Sequence, residues 1–378
     1  MYIHLSAMDQ HYYRKQTLLF TTNLALFSLL LSAFLFLLSS SFFPHPLLSL
    51  HRRTHQQQPP SSSSSSYLSP NSPAANDEAG GELEVALARA SMGKRKTVII
   101  TVINKAYEEA DVEEDISMLD LFLESFWVGE GTRSLVDHLL IVAVDRTAYE
   151  RCKFRRLICF RLETDGRDFE TEKVYMSNGF IEMMWTRTRF LLEVLKRGYS
   201  FVFTDTDVMW LRNPFRRLSK NKTEDLQIST DKYLGNPWSE EHLINTGFYF
   251  IRSNNKTISL FETWYSKKDN STGLKEQDVL LDLIGHYGIF GKLGLRVRFL
   301  DTLYFSGFCE DSKDFRVVTT VHANCCQSIA AKVADLKVVL RDWEQFKKLS
   351  FHEKLEKTNL TANYQWTEHS GCWNSWNA

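Results

Sequence analysis

The chain has 378 residues with 45 Lys and Arg against 46 Asp and Glu, a formal net charge of −1. No overall basic field exists to recruit nucleic acid, and no acidic excess marks a solvating tail. Hydrophobic residues at 43% and aromatics at 13% can build a sizeable core, while 24% charged residues match an ordinary soluble domain. The bulk of the chain is therefore expected to fold, as one α/β domain or two smaller ones.

Residues 1–17 read as a short cytosolic tail. Between Lys15 and Arg52 there is no Lys, Arg, Asp or Glu, and residues 18–38 read LLFTTNLALFSLLLSAFLFLL. A run of about 20 apolar residues is long enough to cross a bilayer as a helix. The rival is a cleaved signal peptide, whose apolar region is usually about 7–15 residues and ends at a small-residue cleavage site. No such site follows cleanly, so 18–40 reads as an uncleaved signal anchor. Flanking charge does not orient it, because Arg14 and Lys15 precede the span while Arg52 and Arg53 follow. Four N-x-Ser/Thr sequons beyond it, at Asn221, Asn255, Asn270 and Asn359, favour a lumenal main body. Six cysteines, all beyond the span, fit an oxidising compartment, though spacing assigns no pairs and any one of them reads equally as a buried thiol. Residues 41–95, with QQQPP and a six-serine run, predict a flexible stem with at most a short helix over 83–90.

The globular part, 96–355, opens on TVIITVI, the continuous β-branched run of a strand covered on both faces. A helical pattern over 116–127 and a second apolar run, HLLIVAVD, complete a strand–helix–strand unit and imply a parallel crossover. The next helix, 180–197, aligns Ile181, Met184, Trp185, Leu191, Leu192 and Leu195 on one stripe and leads into YSFVFTD, a third buried strand ending at Asp205. Shorter strands are predicted over 226–230, 247–252, 295–300 and 317–322, with helices over 257–266 and 276–286. The expectation is an α/β domain with a mixed, mainly parallel central sheet flanked by helices. No glycine-rich phosphate loop follows any strand. The tail, 356–378, with Trp366, Trp373 and Trp376, receives no role.

Ligands of open α/β sheets sit outside the carboxyl ends of the strands, which is where Asp205 and Asp207 fall. Alternate residues of an extended segment point the same way, so two carboxylates at i and i+2 converge on one hard cation. Such a cation would bridge the phosphates of a nucleotide diphosphate and offset charge on the leaving group. The competing reading of Asp-Thr-Asp is a plain turn. Against it, FVFTDTDVMWL sets both charges between two apolar runs, where water-exposed turn acids rarely sit.

The segments YSFVFTDTDVMWLRNPF, INTGFYFIRSN, KEQDVLLDLI, FLDTLYFSGFC and VVTTVHANCC, in this order, resemble the plant nucleotide-diphospho-sugar transferase family known as glycosyltransferase family seventy-seven, over about residues 96–348. That family includes rhamnogalacturonan II xylosyltransferases and arabinosyltransferases of hydroxyproline-rich wall proteins. The resemblance implies a GT-A type fold, Golgi type II membrane topology, retention of anomeric configuration, Mn2+ or Mg2+ as cofactor, and a UDP-sugar donor. Matched block by block, Asp205 and Asp207 take the metal and diphosphate role, and His322 stands where a third metal ligand is often supplied, with a satisfied core histidine as its alternative. Asn104, Lys105 and Tyr107 are expected near uracil and ribose, with Tyr107 stacking on the base or else a plain surface tyrosine. Arg187, with Arg189 beside it, is expected to reach diphosphate oxygens, with solvated helix arginines as the alternative, and Asn245 and Gly247 the sugar hydroxyls, with an ordinary strand-entry turn as theirs. Glu276-Gln277-Asp278 opens a helix, whose N-terminus favours acids on structural grounds alone; the resemblance instead expects this block to face the donor sugar, with Asp278 lining the anomeric centre and Gln277 beside it. The expected activity moves a pentose or galactose-like sugar to a cell-wall polysaccharide or glycoprotein in the Golgi. A hydrolase using the same metal, or a scaffold subunit of a Golgi glycosyltransferase complex, are the alternatives.

Overall fold

The computed structural model describes residues 73–376 except 94–95, 111–114, 357–360 and 362–363. The expected anchor at 18–40 and most of the expected stem lie outside these residues. Among the described residues ten strands run β1 Thr97–Ile103, β2 Leu139–Ala143, β3 Ile158–Arg161, β4 Ser200–Thr204, β5 Val208–Trp210, β6 Leu226–Lys232, β7 Leu243–Ile251, β8 Val297–Phe299, β9 Phe305–Gly307 and β10 Thr320–His322. The principal helices are α1 Pro73–Ala90, α2 Met118–Val128, α3 Arg146–Phe154, α4 Asn178–Lys196, α5 Asn255–Ser266, α6 Glu276–Gly285 and α7 Ile329–Glu356. Among the described residues no helix is long and apolar enough to cross a membrane.

Seven strands form one sheet in the order β3-β2-β1-β4-β7-β6-β8, and β5, β10 and β9 form a second. The pairs β3·β2, β2·β1, β1·β4 and β6·β8 are parallel, while β4·β7 and β7·β6 are antiparallel. The sheet is thus mixed and mainly parallel, as the sequence pattern predicts. Its apolar strands separate two cores. Val98 and Ile100 of β1 pack with α1, α4, α5 and α6 on one face, whereas Ile99 and Ile103 pack with α2, the small sheet and α7 on the other. The continuous hydrophobicity of β1 is explained by this double coverage.

Helix starts follow their local chemistry. Ser117 and Asp120 form a capping box on α2, and Ser177 caps α4 by accepting from the Phe180 N–H. Two helices depart from the sequence expectation. Residues 73–90, assigned to the stem apart from 83–90, form α1, which buries Leu83, Leu87 and Ala90 in the first core. The 28-residue α7 was not foreseen, yet its Val333, Leu336, Val339, Leu340 and Trp343 form a helical stripe buried in the second core.

β1 leads to β2 and β3 on one side, and β4 returns on the other. The point between β1 and β4 where the order reverses is where a crevice opens in such sheets. Both Asn104–Tyr107, after β1, and Asp205, after β4, lie there.

Candidate active site

Each acidic residue is fixed by its own strand end. Asp205 donates its backbone N–H to Gly247 O at 2.7 Å, and Asp207 O accepts from Ala323 N at 3.0 Å. Antiparallel register sets His322 opposite Val208, the neighbour of Asp207. As a result one ligand atom each from Asp205, Asp207 and His322 lies within 4.8 Å of the others. His322 Nε2 stands 3.2 Å from Asp207 Oδ1.

Cations hold these carboxylates in place. Arg187, buried on α4, donates to Asp205 Oδ1 at 2.8 Å and to Glu276 Oε1 at 2.6 Å, with its guanidinium 4.7 Å from the Phe203 ring centroid. Lys332, on α7, donates to Asp207 Oδ2 at 2.7 Å. Burial acts to raise the Asp207 carboxyl, but the Lys332 ammonium and His322 outweigh it and hold that group well below the usual carboxylate range. Burial raises Asp205, only partly offset by Arg187, and the neighbouring charge of Asp207 adds to the rise. The two acids titrate as a pair pulled apart in opposite directions. Burial also lifts the Tyr107 hydroxyl to about 12, so it stays protonated beside them.

The donor set fits a hard divalent cation. Two carboxylates and an imidazole are ligands that Mn2+ accepts. Asp207 Oδ1 is buried and faces His322 Nε2 at 3.2 Å without a well-aligned hydrogen bond, and a cation between the two would satisfy both. The space is also kept open: a Cβ at Gly247 would meet His322 Cε1 at 2.4 Å and Asp205 Oδ2 at 2.8 Å. Gly247 sits within β7 at an irregularity, where pairing jumps from Ile228↔Tyr249 to Ser229↔Asn245. Bulges of this kind re-aim side chains next to active sites.

Around the acids opens a cleft with an empty volume of about 1130 Å³, open solvent included. Of the residues expected at the site, Tyr107, Arg187, Asp205, Asp207, Asn245, Gly247, Gln277 and His322 all line it. Gln277 Oε1 accepts from Thr246 N at 3.0 Å, which ties α6 to the β7 bulge. Four expected residues lie elsewhere. Asn104 is buried and donates to Phe169 O and Thr171 O at 2.7 and 3.1 Å, so it anchors the loop after β3 rather than facing the cleft. Lys105 pairs with Glu109 at 3.4 Å. Arg189 pairs with Asp165 at 3.0 Å, both exposed, because it stands two residues and about 200° round α4 from Arg187. Asp278 is not among the lining residues. The first turn of α6 points Glu276 and Gln277 inward, and a further 100° of rotation carries Asp278 away.

Sequence reasoning missed Lys332, Asp231 and Asn324, and within Glu276-Gln277-Asp278 it favoured Asp278 over Glu276. Asp231 Oδ1 accepts from both Asn245 Nδ2 and Asn324 Nδ2, at 2.8 and 2.7 Å, and so joins the bulge to the segment after His322. A signal for Lys332 exists: it lies four residues before Leu336, in line with the apolar stripe of α7.

An acidic pair at the reversal point of a mainly parallel sheet, backed by buried cations, defines an α/β protein whose ligand cleft opens at the carboxyl ends of its strands. Residues 134–336 match the family model of the nucleotide-diphospho-sugar transferases, and the chain belongs to that family of glycosyltransferases. An uncharacterized Arabidopsis thaliana protein is 57% identical over 78% of this chain and 84% of its own length. A second is 39% identical over 74% of this chain and 71% of the relative. A beta-arabinofuranosyltransferase of the same plant is 27% identical over 56% of this chain and 39% of the relative.

Proposed function

We propose that this chain is a metal-dependent, retaining glycosyltransferase of GT-A type that moves a pentose or galactose-like sugar from a UDP-sugar to a cell-wall polysaccharide or glycoprotein. The observation that carries this reading is the convergence of Asp205, Asp207 and His322 inside the cleft of a nucleotide-diphospho-sugar transferase chain. The relative named as a beta-arabinofuranosyltransferase supports a pentose among the donors.

Mn2+ or Mg2+ held by Asp205, Asp207 and His322 would supply Lewis-acid neutralisation of charge on the departing diphosphate. The chain's own groups do the remaining work. Arg187 fixes Asp205 and partly offsets the burial that raises its carboxyl, while Lys332 fixes Asp207 and holds it ionised. The Lys332 ammonium has three donors, so those not engaged by Asp207 are available to a phosphate oxygen. Gln277, held by Thr246, presents its amide N–H groups to the sugar face. Glu276 Oε2 is buried without a partner and accepts a sugar hydroxyl. In a retaining reaction the departing phosphate itself takes the proton from the incoming hydroxyl on the same face, so no separate base is required.

The compartment belongs to the same proposal. The span at 18–40 would anchor the chain in the Golgi membrane with its catalytic part lumenal, and complexes with other Golgi enzymes are open to it. In support, all six cysteines are paired, as Cys152–Cys159, Cys309–Cys325 and Cys326–Cys372. The sequon residues Asn221, Asn255 and Asn270 are exposed, while Asn359 lies outside the described residues.

The test is calorimetric titration of the full-length chain with UDP and a panel of UDP-sugars, with and without Mn2+. Metal-dependent binding is expected, and Asp207→Asn should abolish it while leaving the thermal midpoint within a few degrees. Failure of the wild type to bind UDP or any donor sinks the transferase reading.

A further inference from the structure

The cleft has two unlike halves. One is the charged set just described; the other is an aromatic rim that plays no part in holding metal or diphosphate. Tyr175, in the loop before α4, and Trp376, beyond the short helix Ser370–Asn374, both line the cleft. Their rings meet edge to face, with centroids 6.4 Å apart and planes at 71°. Each ring is held by a polar contact. Trp376 Nε1 donates to Cys325 O at 2.8 Å, and Tyr175 Oη accepts from Lys275 Nζ at 3.1 Å. The Cys326–Cys372 disulfide, and a hydrogen bond from Gln327 N to Ser375 Oγ at 3.1 Å, hold the Trp376 segment at this edge.

Trp376 is nonetheless 52% exposed. An indole with a satisfied N–H and an uncovered face is a platform for a ligand that offers apolar C–H rather than hydrogen bonds at that face. Saccharide rings have such a face. Position decides which saccharide. Lys275, the partner of Tyr175, directly precedes Glu276 and Gln277, the groups assigned to the donor sugar. Tyr107, by contrast, stands after β1, at the end assigned to the nucleobase. A neutral ring stacked on the rim therefore lies beside the transferred sugar.

We propose that Tyr175 and Trp376 form the acceptor-sugar subsite, held against the cleft by the Cys326–Cys372 disulfide. The assignment rests on the glycosyltransferase reading above and adds to it the class of acceptor group, a neutral saccharide ring bound through its apolar face.

The experiment uses full-length wild type, Trp376→Ala, Trp376→Phe and Tyr175→Ala. Each is titrated calorimetrically with UDP plus Mn2+, and separately with arabino-, galacto- and xylo-oligosaccharides, with and without UDP. Wild type is expected to bind at least one of these saccharides. Trp376→Ala and Tyr175→Ala should each weaken that binding about tenfold, while Trp376→Phe, which keeps an aromatic face, retains most of it. UDP affinity should stay within about twofold in all variants. Loss of UDP affinity on removing Trp376 would make the rim a nucleobase platform and overturn the proposal. Saccharide binding that ignores Trp376, or wild type that binds UDP but none of the saccharides, overturns it equally. Absence of UDP binding in wild type would instead strike the transferase reading, so the two failures are separable. Thermal midpoints check folding, and a half-exposed side chain leaves them little changed.

Discussion

At Gly247 the absence of a side chain is what lets an imidazole and a carboxylate close on the same point, since a Cβ there would overlap His322 Cε1 and Asp205 Oδ2. Gly247→Ala must push one or both ligands aside, because the contacts fall well inside van der Waals distance. The expected result is at least about a tenfold loss of Mn2+-dependent UDP binding by calorimetry, with the thermal midpoint lowered by only a few degrees. Unchanged binding would show that these three groups do not act together on a metal. Gly247 was legible in the sequence as part of Asn-Thr-Gly before a strand, but its reason was not. Its neighbour His322 is 75 positions away in sequence, and they meet because the β5·β10 register sets His322 beside Asp207 while the β4·β7 register sets Gly247 beside Asp205. Lys332 shows in the sequence only as a position in line with the apolar stripe of α7; the acid it faces stands 125 positions away and is set by tertiary packing.

At the scale of elements, α1 contributes two leucines, Leu83 and Leu87, that are almost fully buried against the sheet. Burying a leucine stabilises by about 1.5–3 kcal/mol, so a chain begun at residue 97 instead of 73 should lose about 3–6 kcal/mol. Urea denaturation of the two truncations measures the difference, and equal midpoints would mean that α1 is dispensable. A second case lies between β6 and β8, where Arg298 pairs with the buried Glu224 through two bonds of 2.9 and 2.8 Å. Burial acts to raise the Glu224 carboxyl, but the bonds from Arg298 and Ser219 prevail and set it below its ordinary 4.5. A depressed acid contributes stability that is present above its unfolded pKa and lost as pH falls through the folded value. Arg298→Met reverses the balance, because desolvation then dominates. The acid-unfolding midpoint, followed by circular dichroism, should move to higher pH, with about 2 kcal/mol lost near neutrality. A midpoint that moves to lower pH would refute this account of the pair.

Across the whole molecule, distant segments are tied to the cleft by covalent links and polar bridges. Cys326 and Cys372 are 46 positions apart, and the disulfide between them spans α7. Removing a cross-link of that span in Cys326→Ser/Cys372→Ser should cost about 4 kcal/mol, mainly through the greater freedom of the unfolded chain. Chemical denaturation under non-reducing conditions reads it directly, and a loss below about 1 kcal/mol would show that the tail contacts suffice alone. The tail itself is part of the folded body: Trp366 Nε1 donates to Ser312 O at 3.0 Å and the Trp366 ring packs on Phe315.

By itself the sequence determined the buried strands, the main helices before and after β4, the acidic pair and the family. These are local or contiguous properties: apolar runs, a 3.6-residue stripe, a three-residue motif and ordered blocks. Tertiary structure alone decided which residues meet. It turned Glu276 inward and Asp278 away by helix rotation, committed Arg187 to Asp205 and Glu276, set Lys332 on Asp207, paired the six cysteines and carried Trp376 to the cleft. Each of these depends on register, rotation or chain reversal between segments far apart in sequence, which no local pattern encodes.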